Sequence, residues 1–397
     1  MSTSLFQNFK SFLGRTLDVV RWFALRSTKT SFHHWNTHQV TNKGDIAIRE
    51  SIKEQIAAYF APRAVEFREI GWGFLETPSL KDISESSDLF VIAGSGYIFS
   101  NEQGDIHSRI GEDARLFAGL ACPVVAYGIG WNKLLDAGNS SEGRSLNERA
   151  RRILRDLFGK VELIGVRDRA TQSLLAELTG KDVALIADPA LFYHGSGASS
   201  VPKADDGFLR VGLNLAFHGK ESAERIERQH LAICDFLKEF SRRHAVVYHY
   251  VQHTYTERAM PRLLRAHGIA VEHHDPAPQD LPGLYRNFDI HISQMLHSAI
   301  LAIDAGVPTM NFAYDAKSSG FFELLRLTEF CVPEWPFKKE VALAAAEGLI
   351  ERNTEIRLNI QNRKDELHRD LMHFLDRMKP ILASRRSTEP SAGSEPA

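Results

Sequence analysis

Short, nearly continuous apolar runs alternate along the chain with windows of three- and four-residue periodicity. In the first half, the runs at 65–70, 89–93, 124–127, 161–166 and 183–187 predict strands, and the windows 45–60, 109–120, 145–158 and 169–178 between them predict helices. Apolar strands that alternate with helices indicate a parallel sheet covered on both faces. From His194 to Asp206, Gly, Ser, Pro and Asp replace any periodicity, which predicts a linker. A second series follows. Strands are expected at 209–215, 246–251, 269–272, 289–292, 309–312 and 329–332, with helices at 223–243, 257–266, 281–286, 297–305 and 321–327. Two more helical windows, 338–352 and 354–378, close the pattern, and the charged last one is long enough to cross back over the first domain. The predicted organisation is α/β: two doubly wound domains, 32–194 and 207–345, facing a cleft, then C-terminal helices over 346–383. A Ser/Pro/Glu/Gly tail over 384–397 has almost nothing to bury and is expected to be disordered.

Residues 1–26 read differently. Leu5, Phe6, Phe9, Phe12, Leu13, Leu17, Val20 and Phe23 recur at helical steps, interleaved with Lys10, Arg15, Arg21 and Arg26. Such a basic amphipathic helix can lie in a membrane interface as a peripheral contact, or pack on the protein's own body. Charges interrupt it too often for a signal peptide.

Composition narrows the function classes. Of 397 residues, 43% are hydrophobic and 25% charged, so a sizeable core can form. Lys and Arg total 48 against 50 acids, a balance that argues against nucleic acid as a partner. Three scattered cysteines exclude a disulfide framework and point to a reducing cytoplasm. No apolar stretch approaches the ~20 residues that span a bilayer.

In open α/β sheets, ligands bind at the carboxyl ends of strands. Several clusters fall there. Asn42-Lys43-Gly44-Asp45 opens the first long helix, where Asn42 or Asp45 can cap and Gly44 permits close approach. Gly94-Ser95-Gly96 and Gly128-Ile129-Gly130 follow strands, and could bring backbone N–H groups to a ligand or simply make strand-to-helix turns. Arg167 closes a strand and can aim a guanidinium fork at an anion, or pair with Asp168 or another nearby acid. Asp188-Pro189 reads as a structural turn. His297 starts a helix, where the dipole favours an anion and lowers the imidazole's proton affinity, and Lys317 follows the adjacent strand as a point cation. Among 17 histidines no H-E-x-x-H or paired Cys/His spacing occurs, and His249 and His253 lie in or beside a strand, so no metal is expected.

In this order, the residues resemble the polysaccharide pyruvyl transferase family. The matching stretches are Asn42-Lys43-Gly44-Asp45, Gly94-Ser95-Gly96, Tyr127-Gly128-Ile129-Gly130, Val166-Arg167-Asp168, Asp188-Pro189, and Leu296-His297 through Gly306-Val307-Pro308 to Tyr314-Asp315-Ala316-Lys317. The resemblance implies two Rossmann-like domains of the glycosyltransferase-B type, the first on the acceptor side and the second on the donor side. It also implies phosphoenolpyruvate as donor substrate with no other cofactor, and a saccharide or lipid-linked saccharide as acceptor of a pyruvate ketal in polysaccharide biosynthesis. By position, Arg167, His297 and Lys317 match the family's functional residues. Met295 stands where the family often has Arg, Ala93 or Ser95 where it often has a third Gly, and Thr171 where it often has Ser. On this reading His297 is the acid/base, since its unperturbed pKa of ~6.5 lets it exchange protons near neutrality. Arg167 and Lys317 hold phosphate and carboxylate, while Asn42 and Asp45 face the acceptor. Two other classes fit the same residues: a sugar-nucleotide glycosyltransferase of this architecture, and a saccharide-binding protein without catalysis.

Overall fold

The computed structural model describes residues 27–33, 42–62, 64–70, 77–101, 103–132, 146–196, 206–216, 223–333 and 337–386. The amphipathic segment 1–26, the middle of the predicted linker and the end of the tail lie outside these residues.

The first domain carries β1 (Ser27–His33), β2 (Ala64–Ile70), β3 (Leu89–Ala93), β4 (Ile98–Phe99), β5 (Val124–Ile129), β6 (Trp131–Asn132), β7 (Leu163–Val166) and β8 (Val183–Leu185). Six of them form a parallel sheet in the order β2-β1-β3-β5-β7-β8, and β4 pairs with β6 in a separate ladder. Every residue of β3 and β5 is buried, because helices cover both faces. Alternation divides them: Leu89, Val91, Val125 and Tyr127 face one core, while Phe90, Ile92, Val124 and Ala126 face another.

The second domain carries β9 (Leu209–Asn214), β10 (Val246–Val251), β11 (Val271–His274), β12 (Ile290–Ser293), β13 (Thr309–Ala313) and β14 (Cys331–Pro333). Their parallel order, β11-β10-β9-β12-β13-β14, is the 3-2-1-4-5-6 of a Rossmann sheet. It reverses between β9 and β12, and the first sheet reverses between β1 and β3. The carboxyl ends at both reversals face the same cleft.

Besides the unpredicted β4–β6 ladder, several features differ from the pattern reading. The first domain begins at β1, ahead of residue 32. Ser27–His33 holds only one large apolar residue, Phe32, so pairing with β2 and β3, rather than periodicity, makes it a strand. The helix Thr77–Ser86 was not predicted, although it buries Leu80 and Ile83. The last helix runs from Asn353 to Arg386, through Pro380 and into the predicted tail, because Met378 and Leu382 continue its buried face.

That helix does cross back over the first domain. Phe374 packs edge-on against Tyr127 with ring centroids 5.2 Å apart, and Arg377 pairs with Asp182 at 2.8 Å. One of the two apolar cores therefore contains residues of both domains and of this helix, and it sets how the two halves meet.

Candidate active site

The helix Lys43–Phe60 begins at the carboxyl edge of the first sheet. Asn42 caps it, its side-chain oxygen accepting from the Gly44 amide at 3.0 Å. Lys43 reaches across the cleft: its amide donates to the His253 carbonyl at 3.1 Å, and its ammonium donates to the Gln252 carbonyl at 2.8 Å and to Asp275. Gly44 then lies directly under His297 of the second domain. A Cβ at Gly44 would stand 2.3 Å from Nδ1 and 2.4 Å from Cβ of that histidine. The two strand-edge motifs thus interlock.

A cavity of about 220 Å³ opens at this junction, lined by Asn42, Asp45, Ser95, Gly96, Phe99, Asn132, Arg167, Met295, Leu296, His297, Tyr314 and Lys317. Phe99 and Asn132 come from the short β4–β6 ladder, and the other lining residues lie in loops or helix starts that follow strands. Among the described residues no side chain caps the helix Leu296–Asp304, and Met295, Leu296 and His297 bring its positive dipole end to the cavity.

Arg167 is 4% exposed, and its Nη1 donates to Asp188 at 2.8 Å. Asp188 also accepts from the Ala190 amide at 3.0 Å, so it is fixed from two sides. Asp168, the other acid weighed for that arginine, caps its own helix instead, accepting from the amide and hydroxyl of Thr171. The Thr171 hydroxyl in turn accepts from the Trp131 amide at 2.8 Å and holds β6, which carries Asn132.

Lys317 lies 2.9 Å from Asp315, with its ammonium 5.4 Å from the centre of the Tyr314 ring. Burial opposes its charge, but Asp315 and Tyr314 outweigh that and hold its pKa above the ordinary lysine value. Burial, followed by the charges of Arg167 and Lys317, holds the His297 imidazole well below its usual range. The histidine therefore rests neutral, which corrects the expectation of an acid/base poised near ~6.5. Its Nε2 has no hydrogen-bond partner among the described residues. The site thus offers two fixed cations and one imidazole able to accept a proton.

A family model for polysaccharide pyruvyl transferase matches residues 42–316, from the Asn42 cap to the helix that carries Lys317. The chain belongs to this family. No curated protein sequence matches it. Among solved structures, the glycotransferase of kitacinnamycin is similar at a TM-score of 0.53 and 10% identity, covering 90% of this chain and 100% of that one. The UDP-GlcNAc 2-epimerase from Methanocaldococcus jannaschii is similar at 0.50 and 11%, covering 80% and 92%. At such identities the likeness concerns the fold, and it agrees with two Rossmann-like domains of the glycosyltransferase-B type.

For this pyruvyl transferase family member, the structure brings Asn42, Asp45, Gly96, Arg167, His297 and Lys317 of the predicted site into one cavity. Gly44, Gly94, Gly128 and Gly130 do not line it. The Gly94 amide donates to the Tyr127 carbonyl and the Gly130 amide to that of Ser95, so neither is left for a ligand. These glycines make space for side chains. A Cβ at Gly94, Gly128 or Gly130 would lie 2.2 Å from Ile48, 2.4 Å from Pro189 or 2.3 Å from Arg167. Gly94 and Gly128 also have positive φ, as does Ser95, at 63°. Phe99 and Asn132 have no place in the sequence reading, Tyr314 enters it only within the stretch that ends at Lys317, and Asp188 only as a turn residue. Their positions shortly after β3, β5, β13 and β8 are the available signal.

Proposed function

We propose that this chain transfers the pyruvyl group of phosphoenolpyruvate to two hydroxyls of a saccharide, forming a cyclic ketal. One observation carries the reading: a single chamber of about 220 Å³ combines Arg167, Lys317 and His297. Pockets for drug-sized ligands run to about 300–1,000 Å³. This one suits a three-carbon acid phosphate better than a nucleoside-diphosphate sugar, which weighs against the glycosyltransferase alternative.

Arg167 and Lys317 would hold the phosphate and carboxylate through charge-assisted hydrogen bonds. Phe99, Met295 and Leu296 supply an apolar wall for the methylene, consistent with Met295 standing where an arginine is often found. Burial keeps His297 neutral and the two cations add to it; a bound dianion offsets the cations, so donor binding draws a proton toward the ring. The imidazolium then gives that proton to the methylene carbon as an acceptor hydroxyl adds to the adjacent carbon. The hydroxyl's own proton returns to the imidazole. The C–O bond to phosphate breaks, the second hydroxyl closes the ketal, and its proton leaves with the phosphate. Asn42 and Asp45 share the chamber, and their place on the acceptor side belongs to the same proposal.

The test is a thermal-shift comparison of donors followed by mass spectrometry of the acceptor. Stabilisation by phosphoenolpyruvate, and an acceptor heavier by one pyruvate less one water, are expected. Stabilisation by a nucleoside-diphosphate sugar alone, with a hexose added, would transfer the chain to the alternative reading.

A further inference from the structure

A second group of chemistry-bearing side chains lies on the outer strands of the second sheet. In the parallel register of β10 and β11, His249 sits opposite Glu272, and His274 follows two residues along the same strand. All three side chains therefore emerge on one face. Nδ1 of His249 is 3.1 Å from Nε2 of His274 and 3.2 Å from Oε2 of Glu272, and that oxygen is 4.0 Å from Nε2 of His274. Among the described residues no other group of three His, Cys, Asp or Glu side chains converges in this way.

Two facing ring nitrogens can share one proton, donated from one ring to the lone pair of the other. A cation in that proton's place takes both lone pairs and the carboxylate, while the proton leaves to solvent. Ligand atoms at three corners of a tetrahedral zinc site, with bonds of 2.0–2.2 Å, stand about 3.4 Å apart. The observed separations bracket that value, and the 60% exposed Glu272 side chain can rotate to close the longest. The geometry points to a divalent-cation site of His₂Glu type at His249, Glu272 and His274, suited to zinc(II), with its remaining position open to solvent.

The surroundings define its character. His249 is 3% exposed and stacked on Phe288, with centroids 5.3 Å apart, which fixes the ring. Its other nitrogen, Nε2, is buried without a partner among the described residues, so the usual second hydrogen bond of a metal-bound histidine is missing. That predicts an exchangeable ion that a chelator strips easily. Nearby Arg210 is held by Asp206 at 2.8 Å. The cluster also borders the interdomain tie. The residue after His274 is Asp275, the partner of Lys43, and the His274 carbonyl accepts from the Gln252 amide at 2.9 Å. A bound cation would brace the second domain's side of that tie. Sequence spacing could not reveal the site, because its ligands come from two strands paired across more than twenty residues.

The experiment uses the full chain after chelator treatment, with Zn²⁺ as calorimetric titrant and Co²⁺ as optical probe. One ion per chain, a higher melting temperature with zinc, and tetrahedral-type cobalt absorption are expected. Glu272→Gln should weaken binding at least tenfold and His274→Ala should abolish it, with melting in chelator unchanged. The exposed position of Glu272 keeps its variant folded should the histidine variant fail. No stoichiometric binding to the wild type, or binding equal in Glu272→Gln, overturns the site. None of these readings depends on the reaction at the interdomain cavity.

Discussion

A missing Cβ decides where His297 stands. Gly44 belongs to a helix and Gly130 lacks a positive φ, so backbone conformation permits alanine at either. Sterics do not: the Gly44 methyl would overlap the backbone-linked Cβ of His297, which cannot swing aside. Gly44→Ala is expected to fold and to lose on the order of 10²-fold in turnover, since a displacement of about 1 Å can cost that much. Full activity in a steady-state assay would show that the contact is incidental. The protonation of His297 gives a second prediction. Because the ring rests neutral beside two cations, phosphoenolpyruvate binding should take up as much as one proton. Donor affinity should therefore fall as pH rises through the pKa of the liganded form. Calorimetry in buffers of differing ionisation heat measures the uptake, which His297→Gln should eliminate. Equal uptake in both proteins would assign the proton elsewhere.

At the scale of elements, the adjoining ends of β7 and β8 hold Arg167 and Asp188 as a buried pair, 4% and 2% exposed in their side chains. Removing one partner strands the other charge in the interior, which typically costs about 3–5 kcal/mol. Asp188→Ala should therefore destabilise by at least about 3 kcal/mol in denaturant titrations. Replacing both, as Arg167→Met with Asp188→Leu, should recover much of that stability but leave turnover down about 10²–10³-fold, the usual loss for one electrostatic stabiliser. Recovery of activity along with stability would show that the arginine is structural. The elements themselves were unevenly visible in the sequence. Fully buried runs such as Leu89–Ala93 carry their own signal. β1 does not, because its polar sequence becomes a strand only between two neighbours. The predicted helix at 257–266 is in fact a 3₁₀ turn, Tyr255–Ala259, leading into the helix Met260–Ala266, with Pro261 at the junction.

For the whole molecule, burial of histidines sets the response to acid. A relay runs from His253 through Tyr285 and Ser298 to His291, with links of 2.7, 2.7 and 2.9 Å. Burial lowers the pKa of His291 to about 3, and those of His253 and His297 well below the ordinary value. Unfolded, each returns to about 6.5. Stability is therefore complete above about pH 6.5 and is lost as pH falls toward the folded values, by about 2 kcal/mol at pH 5 for a group held near 3. Asp304, raised to about 6 by burial, works the other way and offsets about 1.4 kcal/mol at that pH. Burial raises Glu54 and Glu257 in the same direction as Asp304, but it lowers seven histidines in all, so denaturant unfolding should show lower stability at pH 5 than at pH 7. His291→Gln should remove about 2 kcal/mol of the difference; an unchanged slope would mean that this ring is not neutral when folded.

Apolar period and turn chemistry are local, and from them the sequence alone determined two α/β halves, a returning C-terminal helix, and the strand-end loops that carry Asn42, Arg167, His297 and Lys317. The choices between partners were decided by folding. Arg167 bonds to Asp188 rather than Asp168, and His297 is neutral because folding buries it and brings two distant cations beside it. The glycines serve as gaps for side chains more than as cradles for a ligand. His249, Glu272 and His274 converge only when β10 and β11 pair. Each of these depends on distances between residues far apart in the chain, which Coulomb interaction, steric exclusion and coordination all require and which no linear pattern encodes.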